Sequence, residues 1–132
     1  MTVVQFLPTS TCNFDCDHCF LYCSPWSQGT FTISQVTDVL EESKKIGTVD
    51  WVYFEGGEPF LYFPLLVESV RRAQEKDFQV GVVTNAYGAL AEEDAALWLK
   101  PLAEAGMSYI NISNDALHYG DQEATPAAIA IQ

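Results

Sequence analysis

Basic residues are scarce in this chain. Six Lys and Arg stand against 18 Asp and Glu, a formal net charge of −12 at pH 7. A surface of that sign repels phosphate and anionic lipid, which argues against nucleic acid or a membrane surface as partner. Long apolar runs are also missing. The longest, Phe60 to Val67, contains Pro64 and falls far short of the roughly 18 residues a spanning helix needs. The opening MTVVQFLPTS has no basic start and no small-residue cleavage site, so it does not read as a signal peptide. A cytoplasmic protein is the expectation. No linker or low-complexity run interrupts the chain, and no block of like charge exceeds Glu92 to Asp94. With 132 residues, 48% hydrophobic and 18% charged, it has the composition of a single globular domain.

Cysteine is absent from most of the chain as well. All four cysteines, Cys12, Cys16, Cys19 and Cys23, fall in one short segment. A disulfide framework staples distant segments together, and this grouping cannot. In a reducing compartment a tight cysteine group points instead to a metal or cluster site.

What is present is an alternation of strand and helix. Val3–Leu7 reads as a β-branched and aromatic strand ending at Pro8, followed by a long loop to about Gly29, and loops of that length are usually functional. Thr32 and Gln35 form a capping box before a helix that Gly47 closes. Trp51–Phe54 is an uninterrupted apolar run, the pattern of a strand buried on both faces, and it leads into Glu55-Gly56-Gly57-Glu58-Pro59. Pro64 opens a second helix. Phe78–Thr84 is a third strand ending at Asn85. A helix over about Ala91 to Ala105 should break near Pro101. Tyr109–Ile112 is a fourth strand, followed by Ser113-Asn114-Asp115, and Thr125-Pro126 reads as the cap and first residue of another helix. The strand ends Phe54, Thr84 and Ser113 recur at about 30 residues, the length of a βαβ crossover. Parallel strands joined by right-handed crossovers place all their ends on one edge, where α/β proteins bind ligands. The cysteine loop, Gly56-Gly57-Glu58, Thr84-Asn85 and Ser113 to Asp115 all follow a strand. Four signals converge on that edge.

Cys12, Cys16 and Cys19 have the spacing C-x3-C-x2-C, far more specific than a lone C-x2-C. Three thiolates on one loop can wrap a compact centre. Zinc would want a fourth ligand, Cys23 or His18; a 4Fe–4S cluster can use three thiolates and leave one iron open for a substrate.

On Cys12-Asn13-Phe14-Asp15-Cys16-Asp17-His18-Cys19, and on Gly56-Gly57-Glu58-Pro59 after the second strand, the chain resembles the radical S-adenosylmethionine (radical SAM) superfamily. The resemblance implies a 4Fe–4S cluster on Cys12, Cys16 and Cys19, with S-adenosylmethionine (SAM) chelating the open iron. An electron from the cluster, supplied by a low-potential donor such as flavodoxin or ferredoxin, then releases a 5′-deoxyadenosyl radical that acts on a substrate not named by these motifs. It also implies that Gly56, Gly57 and Glu58 meet the methionine amino group, since glycines admit close backbone approach and a carboxylate pairs an ammonium. His18 stands where the family has an aromatic residue near the adenine. Ser113 and Asp115 resemble a polar pair directed at ribose or carboxylate. Asn85 lies in Thr84-Asn85-Ala86, where the family often has Thr-Asn-Gly.

The expected fold is therefore α/β, a partial parallel (βα) barrel with four of the family's usual six units. Residues 1–132 would be a radical SAM core domain truncated at its C-terminus, and the open edge of an apolar fourth strand would favour self-association. Cys23 reads as a spare thiol and His118 and Tyr119 as ordinary loop residues. Asn85 suits a turn, and Ser113 and Asp115 suit a cap, without any ligand. Two competing expectations are a non-catalytic iron–sulfur or zinc module, for electron transfer or structure, and a fragment that binds nothing stably.

Overall fold

A computed structural model describes residues 2–132. Strand and helix alternate as the sequence predicts: β1 (Thr2–Thr9), α1 (Ile33–Ile46), β2 (Val49–Gly56), a 3₁₀ turn (Pro59–Tyr62), α2 (Phe63–Glu75), β3 (Gln79–Thr84), α3 (Glu92–Glu104), β4 (Tyr109–Ile112), α4 (Ala116–Tyr119) and α5 (Pro126–Ile131). The four strands form one parallel sheet in the order β1-β2-β3-β4. Chain order equals spatial order, so each successive crossover delivers its strand end to the same edge. This is the α/β architecture of a partial βα barrel.

The core lies between the sheet and its helices. Val52 and Phe54 of β2 and Val80 and Val82 of β3 pack against Val36 and Leu40 of α1, Leu66 and Val70 of α2, and Leu102 of α3. Each large apolar side chain buried there contributes roughly 1.5–3 kcal/mol. The alternate residues of β2, Trp51, Tyr53 and Glu55, point to the opposite face and remain part-exposed. The expectation that β2 is buried on both faces is thus corrected: it alternates, because α1, α2 and α3 share one hydrophobic layer.

The helix signals act as expected at α1. The Thr32 side chain accepts from the backbone N–H of Gln35, the Gln35 side chain accepts from the N–H of Thr32, and Gly47 closes the helix at φ 76°. The two prolines behave otherwise than predicted. Pro8 does not end β1, which continues to Thr9 through a shift of register between Phe6 and Thr9. As an edge strand, β1 can lack one N–H without breaking the ladder. Pro101 does not break α3 either. It sits in the last turns, and the carbonyl it deprives of a partner belongs to Leu97, which is exposed and can be hydrated.

Candidate functional site

The β1–α1 loop is tied at its neck. Thr9 and Thr30 hydroxyls are 3.0 Å apart, Thr11 Oγ1 donates to the Ser27 carbonyl at 2.9 Å, and the Cys12 N–H donates to the Ser24 carbonyl at 3.1 Å. Within the loop, Cys12 Sγ accepts from the Phe14 N–H at 3.4 Å, and the Cys19 N–H closes a turn on the Cys16 carbonyl at 3.0 Å. Cys12, Cys16 and Cys19 are part-exposed and Cys23 is buried, and all four line one cavity of about 170 Å³ at the strand ends. Burial, with the Glu58 carboxylate adding to it, pushes the Cys12 thiol up to about 11. Burial raises Cys16 too, and burial together with the neighbouring Cys19 raises Cys23. These thiols are protonated at neutral pH until a metal displaces their protons.

The donor set discriminates between metal centres. Tetrahedral zinc at 2.3 Å from each sulfur would draw its thiolates to about 3.8 Å from one another. Among the described residues, the group that brings three ligand atoms within 4.8 Å of one another is His18, Asp115 and His118, not the cysteines. Three thiols spread more widely on one loop fit a polynuclear cluster better than a single zinc ion.

Gly56 and Gly57 have a structural reason to be glycine. A Cβ on Gly57 would lie 2.0 Å from the Thr11 carbonyl oxygen, and one on Gly56 2.7 Å from that of Thr9. The N–H groups of Gly57 and Glu58 donate to those same two carbonyls at 3.0 and 2.9 Å. The Gly-Gly-Glu segment is therefore laid directly on the start of the cysteine loop. Glu58 is 1% exposed. Its Oε1 accepts from Thr84 Oγ1 at 2.7 Å and the Phe60 N–H at 2.9 Å, and its Oε2 from the Asn85 N–H at 2.8 Å. Burial pushes its carboxyl up to about 7, against the pull of those three donors.

Asn85 joins four segments. Its N–H serves Glu58, its Oδ1 accepts from the Tyr87 N–H at 3.0 Å, its Nδ2 donates to Asn13 Oδ1 at 2.9 Å, and its carbonyl accepts from the Tyr119 hydroxyl. The next residue, Ala86, holds the left-handed φ of 55° that a glycine there would adopt freely. Ser113 leaves β4 with its N–H on the Thr84 carbonyl at 2.9 Å and lines the cavity. Asp115 caps α4, its Oδ1 accepting from the N–H groups of Leu117 and His118 at 2.9 and 3.1 Å, while its Oδ2 lies 2.8 Å from His118 Nδ1. Desolvation works to raise Asp115, but the hydrogen bonds and charge of His118 hold it below the usual carboxylate range. His18 stacks edge-on against His118 with ring centroids 4.9 Å apart.

His118 and Tyr119 are not ordinary loop residues. Tyr119 is buried, sets its ring edge-on to Phe14 of the cysteine loop at 5.4 Å and donates its hydroxyl to Asn85. Asn13, Phe14, His118 and Tyr119 were missed because their contacts join residues far apart in the chain, and no local spacing announces them.

A parallel βα sheet with a three-thiol loop and glycine-rich and acidic segments gathered at its carboxyl edge defines a cofactor-binding α/β protein of cluster type. Comparison with known proteins narrows the class. The family model of the radical SAM superfamily matches residues 6–120, and the chain belongs to that superfamily, whose members use a 4Fe–4S cluster and SAM. It is 31% identical over 110 residues to the tungsten-containing aldehyde ferredoxin oxidoreductase cofactor-modifying protein of Pyrococcus furiosus, covering 83% of this chain and 29% of that protein. It is 26% identical over 109 residues to YydG of Bacillus subtilis, covering 83% and 34%. An S-adenosylmethionine-dependent nucleotide dehydratase of Fibrobacter is 28% identical over 89 residues, covering 63% and 27%. The chain thus spans about a third, or less, of the length of these relatives. No helix among the described residues is long and apolar enough to cross a membrane.

Proposed function

We propose that this chain is the cluster- and SAM-binding part of a radical SAM enzyme, with Cys12, Cys16 and Cys19 as cluster ligands. The observation that supports this is the convergence of those three thiols with His18, Gly56, Gly57, Glu58, Asn85 and Ser113 on one cavity at the strand ends. When bound, the cluster and SAM would supply an electron that opens the sulfonium and a 5′-deoxyadenosyl radical that takes hydrogen from a substrate. The chain's own residues bind and orient. Glu58 Oε2 accepts a single hydrogen bond and keeps acceptor capacity for the methionine ammonium, and the peptide groups of Gly56 and Gly57 lie beside it. Ser113 faces a ribose from the cavity wall; Asp115, which does not line the cavity and has both oxygens engaged by its cap and His118, supports that wall through His118, while His18 sets an aromatic edge for the adenine. Asn85 holds the cysteine loop and the Glu58 loop at a set distance.

Four free thiols and a reducible cluster suit a reducing compartment such as the cytoplasm, where a flavodoxin or ferredoxin can serve as donor. The test is anaerobic reconstitution of the chain with iron and sulfide, followed by addition of SAM and a low-potential reductant. A SAM-dependent change in the cluster's electron paramagnetic resonance is expected, without enzymatic turnover to 5′-deoxyadenosine by this part alone. A zinc-loaded protein indifferent to SAM would refute the proposal.

A further inference from the structure

The sheet face turned away from the helices carries a row of aromatic rings leading up to the cavity. Trp51 and Tyr53 of β2 stack at 5.6 Å with an interplanar angle of 23°, and Tyr53 meets Tyr109 of β4 edge-on at 6.3 Å. Tyr53 and Tyr109 are both register partners of Gly81 on β3. A Cβ at Gly81 would lie 2.4 Å from the Tyr53 ring, so the absent side chain is what lets the tyrosine lie across β3 towards Tyr109. One step further along the same face of β2 comes Glu55, which lines the cavity beside Val83.

Glu55 differs from every other acid described above. Glu58 is engaged by three donors and Asp115 by His118, whereas among the described residues the Glu55 carboxylate has no hydrogen bond and no ion pair. It is half-buried, and desolvation alone raises it above its ordinary range. Among the described residues no lysine or arginine stands near to relieve it. All six Lys and Arg lie on or at the end of the helices of the opposite layer: Lys44 and Lys45 on α1, Arg71, Arg72 and Lys76 at α2, and Lys100 on α3. The face therefore offers ring quadrupoles and one uncompensated carboxylate, and both attract positive charge.

We infer that Glu55 and the Trp51–Tyr53–Tyr109 row form a recognition site for an organic cation, an ammonium or guanidinium carried on an apolar stem. The site takes an amine-bearing substrate, such as a basic side chain of a peptide, and disfavours a phosphorylated one. As a substrate site it rests on the function proposed above, but its binding chemistry can be tested without cluster or SAM.

The experiment uses the 132-residue chain labelled with ¹⁵N, with the Trp51 indole signal identified by comparison with Trp51→Phe. It is titrated with N-acetyl-lysine methylamide, with the neutral near-isostere N-acetyl-norleucine methylamide, and with uridine triphosphate. The lysine probe should shift the Trp51 signal and bind at least about fivefold more tightly than the norleucine probe, the scale of a charge-assisted contact over aromatic faces. Glu55→Gln should shrink that preference to about twofold or less, the part the ring faces supply. Equal binding of the two probes by the unmodified chain, tighter binding of the triphosphate, or a lysine preference undiminished by Glu55→Gln would overturn the inference. The comparison of probes on the unmodified chain does not depend on the variant's folding. A lysine preference in a protein whose reconstituted metal centre gives no spectroscopic response to SAM would refute the proposed SAM-binding role and leave the cation site standing; the reverse pair of results would do the opposite.

Discussion

Asn85 Nδ2 and Asn13 Oδ1 are joined at 2.9 Å across 72 positions of the chain. The bond links the end of β3 to the middle of the cysteine loop, between Cys12 and Cys16. Because the N–H of Asn85 also serves Glu58, one residue sets the spacing between the thiols and the buried carboxylate.

Asn13→Ala should therefore cost about 1 kcal/mol of stability, the net worth of a part-buried hydrogen bond, measured by urea unfolding. It should also slow or lower iron incorporation, while the far-ultraviolet dichroism of the sheet and helices stays unchanged. Iron uptake equal to that of the unmodified chain would show that the loop is held by its neck alone.

Glu58 makes stability depend on pH with a definite sign. Its folded carboxyl titrates at about 7, above the ordinary value of 4.5. Between those values the native state binds more protons than the unfolded state, so stability falls as pH rises from about 4.5 to 7. The penalty is fully developed above pH 7 and amounts to the order of 3 kcal/mol at about 1.36 kcal/mol per pH unit. Glu58→Gln removes this slope, which a comparison of urea midpoints at pH 5 and pH 8 would read. An identical slope in both proteins would place the titration elsewhere.

The same substitution should weaken SAM binding. Losing the charged acceptor for an ammonium is worth about 1.5–3 kcal/mol, roughly tenfold or more in affinity. Anaerobic calorimetry on the cluster-loaded protein is the measurement, with iron content as the control. An unchanged SAM affinity would remove Glu58 from the ammonium.

Three thiolates suffice for the cluster if SAM completes the ligation. Cys16→Ser should abolish cluster assembly, whereas Cys23→Ser should leave iron content largely intact despite its buried place in the cavity. Equal loss in both variants would indicate a four-cysteine centre.

The glycines differ sharply in what they tolerate. Gly47 has a left-handed φ but open space around it, so Gly47→Ala should cost about 1–2 kcal/mol, the penalty of that conformation. Gly57→Ala would drive a methyl group into the Thr11 backbone at 2.0 Å, and should prevent the cysteine loop from closing on the sheet. Thermal unfolding of the two variants, with iron uptake for the second, separates the cases.

Local rules accounted for much of this architecture. The Thr32–Gln35 box, the Gly47 stop, the extent of β4 and the Thr125-Pro126 start all depend on neighbours within a few residues, and they stand where the sequence put them. The recurrence of strand ends likewise followed from the length a crossover needs, and with it the edge that carries the cysteine loop. Pro8 and Pro101 could not be judged locally, because their tolerance depends on an edge position and on exposure of another residue.

The chemistry of the cysteine spacing is legible in one dimension, since ligands close in sequence must be close in space. The environment of each group is not. Only packing decides that Glu58 is enclosed by Thr84, Asn85 and Phe60 while Glu55, three residues earlier, has no hydrogen bond or ion pair among the described residues. Only packing brings Asn13, Phe14, Asn85 and Tyr119 together, and only the register of β2, β3 and β4 lays Tyr53 over Gly81 beside Tyr109. The physical reason is range: caps, turns and helical periods act over a few residues of backbone, whereas burial and hydrogen-bond partnership depend on which strands the crossovers bring side by side.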